Sequence, residues 1–437
     1  MILLTFKGYG YITVYFTNGF YLMGSVFDTV RLPFHYGWVI AFTGMLSIFA
    51  CLGFARFVLG MLLPSMSAGL HLSYSEMGLL GTGNFLGYLI AVLLAGKIVG
   101  VFNPKRTLTF GLTVSGVSMI LIGLSNTHSI IGPLYLLTGM GSGLSNVAVM
   151  GLITRWFDSD RRGRASGFVV IGSGFALLIS GVLIPWINSA FGTEGWRIGW
   201  IVSAVIVLIV TATDLILIRN SPQEMGLAPI GRLRETKGQQ GPELQSGIYL
   251  RGIAIHLGLI YLLFGFSYVI YITFIVMALV KDYGFDEAVA GQFWAWIGLL
   301  SLLSGPIFGT LSDRIGRARG FMTVFVIQCI AYGFAASGIK GIPLYLSIVF
   351  FGITAWSIPS IMAAAAADYF GPIQAPTAFG YITFIFGIGQ IAGPIVTGLV
   401  AEVTGGFSTG FLMAAIAAAL AVVLSSLLKR PQVIGDI

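Results

Sequence analysis

Twelve runs of apolar residues, each about 20 residues or longer, constrain most strongly what this 437-residue chain can fold into. They cover 36–66, 74–98, 106–127, 129–155, 164–188 and 197–219, then 251–280, 287–312, 319–338, 342–369, 376–403 and 408–429, with short polar or Gly/Pro-rich breaks between them. A hydrocarbon slab ~30 Å thick takes about 20 apolar residues per helical crossing. Lipid offers the backbone no hydrogen-bond partner, so only helices or closed barrels span it. The runs are too long and too uniformly apolar for barrel strands, which alternate. The predicted fold class is an all-α polytopic membrane protein with 12 transmembrane helices. Only 9% of the residues are charged, against about a quarter in soluble domains, which excludes an ordinary water-soluble domain.

The longest polar interval runs from Arg219 to Arg251 and divides the runs into two sets of six. The expected organisation is a lead-in (1–35), a first six-helix half (36–219), a linker (220–250), a second half (251–430) and a tail (431–437). With the N-terminus inside, 19 of the 23 Lys and Arg residues fall in cytoplasmic segments, while Arg197, Lys281 and Lys340 fall outside and Arg56 lies within a span. Basic residues in short loops resist translocation. The expectation is therefore an inner-membrane, multi-pass protein with both termini and the linker cytoplasmic. The net charge of +7 is accounted for by these loops and not by nucleic acid. Residues 11–27, apolar but interrupted by Asn18 and Gly19, read as a non-spanning lead-in. An interfacial helix, a weak extra span and an overlong reading frame starting truly at Met23 are the forms considered for it. Cys51 and Cys329 lie inside apolar runs and give neither a disulfide framework nor a metal set. No cofactor is implied.

One register relates the two halves: Ser73 and Asp286, Gly78 and Gly291, Gly96 and Gly309, and Arg106 and Arg319 are each 213 residues apart. Ser73 and Asp286 sit where helix N-caps belong. Two parallel six-helix repeats are the architecture in which one half rocks against the other to give alternating access.

Between the eighth and ninth runs the chain reads Gly309-Thr310-Leu311-Ser312-Asp313-Arg314-Ile315-Gly316-Arg317-Ala318-Arg319. This resembles the G-x-L-x-D-R-x-G-R-[KR] loop signature of the major facilitator superfamily, and the fold that resemblance implies is two six-helix pseudo-repeats. The first-half counterpart, Gly96 to Arg106, keeps the glycine and the basic end but has Gly100 where the acid belongs. Small Gly309 allows close helix approach, and Asp313, with Arg164 as partner and Arg314 beside it, is the expected latch of the inner gate. Arg317 and Arg319 read as solvated topogenic charges. Tyr36-Gly37-Trp38-Val39, Arg155-Trp156-Phe157, Arg161-Arg162-Gly163-Arg164-Ala165, Gly195-Trp196-Arg197 and Ser221-Pro222 through Pro229 look like the monocarboxylate and oxalate:formate antiporter-like branch. Members of that branch commonly carry an arginine in helix 8 or a lysine in helix 11 to hold a carboxylate, whereas 287–311 and 376–403 contain no Lys or Arg.

The intramembrane cation is Arg56, in Cys51-Leu52-Gly53-Phe54-Ala55-Arg56-Phe57 with Pro64 beyond. A central arginine costs ~2.5–3.5 kcal/mol on insertion scales and so faces a bundle interior or wet cavity. An arginine followed eight residues later by proline resembles the first helix of organophosphate:phosphate antiporters, where it grips the anionic substrate. The alternatives are snorkelling to the outer interface or a structural pair with Glu76 or Glu402. No acid falls at mid-membrane, which favours an anionic solute over a cationic drug. Asn84, Asn146, Tyr268, Tyr271, Trp294, Trp356 and Gln390 fall at comparable depth and complete a candidate cavity. The glycines of 172–174 and 387–398 suit either a moving seam or static packing.

The functional expectation is a monomeric secondary transporter of a small organic, monocarboxylate-like anion, driven by proton symport or anion exchange. The rival within that class is an exporter of neutral or amphipathic drugs. An enzyme would need a convergent catalytic set, and His35, His71, His128 and His256 are scattered. A non-transporting sensor is the third class.

Overall fold

The computed structural model describes residues 2–7, 11–16, 35–231 and 247–428. Its spans are α1 (Gly37–Leu70), α2 (Tyr74–Phe102), α3 (Pro104–Leu124), α4 (His128–Trp156), α5 (Ser159–Phe191) and α6 (Gly195–Leu217). The second set is α7 (Gly247–Lys281), α8 (Glu287–Ile315), α9 (Arg317–Ala336), α10 (Ile342–Gly371), α11 (Thr377–Thr404) and α12 (Ser408–Ser426). Among the described residues, eleven stretches are long and apolar enough to cross a membrane, and one of them, Arg161–Leu217, has 57 residues. A single 57-residue helix would be about 85 Å long, but the turn at Gly192–Glu194 divides it into α5 and α6. Twelve membrane-spanning helices result among the described residues, as the hydropathy pattern implies.

The helix ends follow local chemistry. Ser73 caps α2 through a reciprocal box in which its hydroxyl accepts from Glu76 N while the Glu76 carboxylate accepts from Ser73 N. Its repeat mate Asp286 occupies the same N-cap position on α8 without a side-chain cap bond. Gly371, at φ 71° and ψ 167°, turns the chain between α10 and α11, a backbone region open to glycine.

Residues 11–16, one part of the lead-in, are not an interfacial helix. They form β2 (Tyr11–Phe16), paired antiparallel with β1 (Ile2–Lys7) in the register Thr5 to Thr13. Their β-branched and aromatic composition suits a strand, and six residues are too few to cross a bilayer. Residues 17–34, including the proposed start at Met23, and 232–246 of the linker lie outside the described residues. The linker's first part folds back: Ile230 N donates to Trp156 O at 2.9 Å and Asp158 N to Ile230 O at 2.9 Å, tying it to the α4–α5 turn.

The first six helices meet the last six along two seams, α2 against α11 and α5 against α8. The repeat-related glycines mark both. A Cβ on Gly78 would lie 2.5 Å from Pro394 O, and one on Gly291 would lie 2.2 Å from Gly181 O. Helix axes this close require glycine. Of the glycine stretches, Gly174 and Gly398 face the opposite half while Gly172 and Gly389 pack within their own.

The seams are tight at the end away from the linker, here called the distal end. There Tyr74 OH donates to Gly405 O at 3.0 Å, Ser75 N and Oγ donate to Glu402 Oε2 at 3.1 Å each, and Asn188 Nδ2 donates to Glu287 Oε2 at 2.6 Å. Toward the linker end, Gly96 on α2, Gly163 and Gly167 on α5 and Gly309 on α8 face open space. The two sets of helices are closed distally and parted at the linker end.

Candidate functional site

α1 is not a uniform α-helix. Phe49–Phe57 is π-helical, flanked by α-helical Gly37–Ile48 and Val58–Leu70. Widened turns of this kind concentrate at functional sites. Side chains from neighbouring helices brace its carbonyls: Ser142 Oγ donates to Cys51 O at 2.6 Å, Asn84 Nδ2 to Ala55 O at 3.2 Å, and Tyr135 OH to Arg56 O at 2.8 Å. Polar groups on α2 and α4 thus fix the turn from which Arg56 projects.

The Arg56 residue is 6% exposed. Its guanidinium carbon lies 3.9 Å from the Tyr88 ring centroid, 4.7 Å from Phe85 and 5.6 Å from Phe57, a cation–π enclosure. Nε and Nη2 are buried without hydrogen-bond partners. No acid neutralises it among the described residues, because Glu76 caps α2 and meets His128 at 3.1 Å, while Glu402 meets Ser75. Both alternatives for Arg56 are thereby corrected: its tip neither reaches an outer interface nor pairs with either acid. A cation with unused N–H groups in an aromatic box can receive a planar anion in two-pronged fashion.

The other expected residues divide by location. Asn146 Nδ2 donates to Tyr88 OH at 2.7 Å and so joins the Arg56 box. Asn84 braces the π turn, donating also to Tyr135 O at 3.2 Å, and its Oδ1 is buried without a partner. From the second half, Gln390 Nε2 donates to Tyr268 OH, and the Tyr268 ring lies 6.1 Å from that of Trp356. The Trp356 ring in turn contacts Phe57 at 5.3 Å, linking the halves next to Arg56. Trp294 Nε1 donates to Ser180 Oγ at 3.1 Å across the α5–α8 seam, and its ring abuts Gly60. Tyr271 lies elsewhere, bonded to Ser347 Oγ at 2.8 Å and stacked on Phe351 at 4.1 Å inside the second half. Tyr88, Phe85 and Tyr135 are the site residues that sequence reasoning passed over. Tyr88 lies one helical turn beyond Asn84, the only signal that could have found it.

A cavity of about 10 Å³ beside Arg56 is bounded by Gly60, Gly81, Phe85, Ile272 and Thr273. That volume holds about one water, too little for a solute on the distal side of Arg56.

At the open linker end the expected gate residues Asp313 and Arg164 are not paired with each other among the described residues. Asp313 is exposed and pairs with Arg317, whose Nε also contacts Asp368 Oδ2 at 2.6 Å. Arg164 and Arg314 are exposed. Gly316, at φ 91°, ends α8 so that Arg317 folds back over Asp313 and reaches α10. Arg317 is therefore a bridge between two carboxylates and not a free topogenic charge. At the closed end, a cavity of about 450 Å³ is lined by Tyr74, Lys281, Asp282 and Gly406, with Lys281 Nζ 4.0 Å from the Tyr74 ring centroid. Burial pushes the loop residue Asp282 above the usual carboxylate range, against the opposing pull of Phe407 N–H and of Lys281.

The chain is similar to known transporters in sequence and in fold. The family described as "Uncharacterised MFS-type transporter YbfB" matches residues 48–426. The probable sulfoacetate transporter SauU of Cupriavidus necator is 24% identical over 80% of this chain and 84% of its own length. The oxalate:formate antiporter of Oxalobacter formigenes is 25% identical over 76% of this chain and 77% of its own. Among solved structures, a bacterial homologue of the human lysosomal transporter Spinster, described as inward-facing and unoccupied, superposes with a TM-score of 0.70. That match is 14% identical over 90% of this chain and 96% of the other.

Proposed function

The chain belongs to the major facilitator superfamily of transporters, and from that premise we propose that it carries a small organic, monocarboxylate-like anion by alternating access. The observation supporting this is the buried Arg56 guanidinium, which has no acid partner among the described residues and whose Nε and Nη2 hydrogens are unused. Relatives named for sulfoacetate and for oxalate and formate handle organic anions, consistent with a cationic site. One arginine balances one negative charge, so a monoanion leaves the least uncompensated charge in lipid. Tyr88 and Asn146 would orient the head of the solute, and Tyr268, Gln390 and Trp356 would shape the opposite wall.

In this reading the two halves, 36–219 and 251–430, rock about the Arg56 level. The linker end faces the cytoplasm, as its basic loops imply, and the distal contacts around Tyr74, Glu402 and Glu287 form the closed outer gate. Asp313, Gly309, Arg164 and Arg314 would meet only when the inner end closes. Coupling is either proton symport or anion exchange. Proteoliposomes loaded with unlabelled pyruvate and diluted into radiolabelled pyruvate, formate or benzoate test the proposal. Labelled anion should enter by counterflow, and an amphipathic cation should not compete. Failure of every monocarboxylate, with transport of a neutral or cationic solute instead, would overturn it.

A further inference from the structure

Ser47 on α1 and Asp214 on α6 meet inside the first six helices, both 0% exposed. Ser47 Oγ is 2.8 Å from Asp214 Oδ2, and the same oxygen is 2.8 Å from the Thr43 carbonyl. A serine hydroxyl owns one hydrogen. If that hydrogen goes to Thr43 O, the second contact requires a hydrogen on the carboxyl, whose O–H then donates to Ser47 Oγ. If the carboxyl is ionised, Ser47 must donate to it and release Thr43. One set of heavy-atom positions therefore accommodates two arrangements that differ by a single proton.

The rest of the environment points the same way. Asp214 Oδ1 is buried without a partner, and among the described residues no Lys or Arg lies within ion-pairing distance of the carboxyl. The elements packed against α6 bring few charges near it. α1 carries Cys51 and Arg56, α3 carries Lys105 and Arg106 in its first turn, α5 confines its charges to 160–164, and Arg219 follows the end of α6 itself. Lys105 acts on Asp214 only through space. An unpaired carboxylate in such a place costs several kcal/mol, a cost that a bound proton removes.

We propose that Asp214 is the binding site for the coupling proton, with Ser47 transmitting its arrival to α1, the helix that carries Arg56. One proton converts the carboxylate to the neutral acid while one anion neutralises the guanidinium, so the loaded carrier crosses with no net charge. The inference rests on the anion-transport reading and selects proton symport within it.

The test compares wild type, Asp214→Asn and Ser47→Ala in proteoliposomes, using radiolabelled pyruvate. Counterflow needs no net proton movement, whereas accumulation under an imposed pH gradient does. The amide of Asp214→Asn imitates the protonated acid, so counterflow should persist while gradient-driven accumulation falls at least tenfold. An infrared pH titration of the purified protein reads the carboxyl directly. A protonated-carboxyl stretch should be present in wild type, absent in Asp214→Asn and shifted in Ser47→Ala. Gradient-driven accumulation that survives in Asp214→Asn overturns the proposal, as does an infrared spectrum in which no carboxyl band responds to either substitution. If Asp214→Asn does not assemble, the wild-type band and its shift in Ser47→Ala decide alone. If wild type moves no anion at all, the transport reading fails, while the infrared band still reports whether Asp214 holds a proton.

Discussion

Replacing Arg56 by glutamine separates function from assembly more cleanly than any other change. At ~4 Å and an effective dielectric of ~20, a guanidinium–carboxylate pair is worth about 4 kcal/mol. Truncating one member of such a buried pair costs about 2–5 kcal/mol. At ~1.4 kcal/mol per tenfold change, anion affinity should fall roughly 30-fold to several thousand-fold. Stability should move little, because two effects oppose each other. Losing the charge removes an insertion cost of ~2.5–3.5 kcal/mol, while the ring contacts with Tyr88 and Phe85, about 0.5–2 kcal/mol each, are lost with it. Arg56→Lys keeps the charge but not the planar fork and should bind about tenfold to a hundredfold more weakly. Equilibrium binding of radiolabelled pyruvate to detergent-purified protein, with thermal unfolding alongside, measures both quantities. A glutamine variant that binds within about threefold of wild type would refute the reasoning, since the guanidinium would then contribute almost nothing to holding the solute.

Further predictions concern the frame around the site. Asn84→Ala removes the donor to two buried carbonyls and should destabilise by about 1–3 kcal/mol, read as a lowered unfolding temperature. At the seams, Gly181→Val pushes a side chain into Gly291 O, 2.5 Å from the added Cβ, and should expose a cysteine placed at Ser75 to a polar maleimide. Gly309→Leu meets open space in the linker-open form, so assembly should be normal while counterflow stops, because the inner end can no longer close. Glu402→Gln takes a full charge from the first turn of α2, a contact worth about 0.3–1 kcal/mol. The distal end should open more often, by roughly twofold to fivefold, in the same maleimide assay.

The length and polarity of the apolar runs by themselves required twelve helices, because a bilayer admits nothing else of that length and composition. The shared register of Gly78 with Gly291 likewise announced two related halves. Arg56 was legible for a related reason: a cation inside an apolar run is costly wherever it points, so its presence demanded an explanation before any coordinates. What surrounds it was not legible. Hydropathy reports how deep a residue lies but not which way it faces, so Tyr271 and Tyr268, three positions apart, looked equivalent. In three dimensions one packs inside the second half and the other fronts the site. The box of Tyr88 and Phe85, the π-helical turn, the Arg317 bridge to Asp313 and Asp368, and the meeting of Ser47 with Asp214 depend on contacts between residues distant in sequence or on rotation about a helix axis. Those are settled only when whole helices pack, since each such contact is worth a few kcal/mol at most and none can form until the larger burial of apolar faces has brought its partners together.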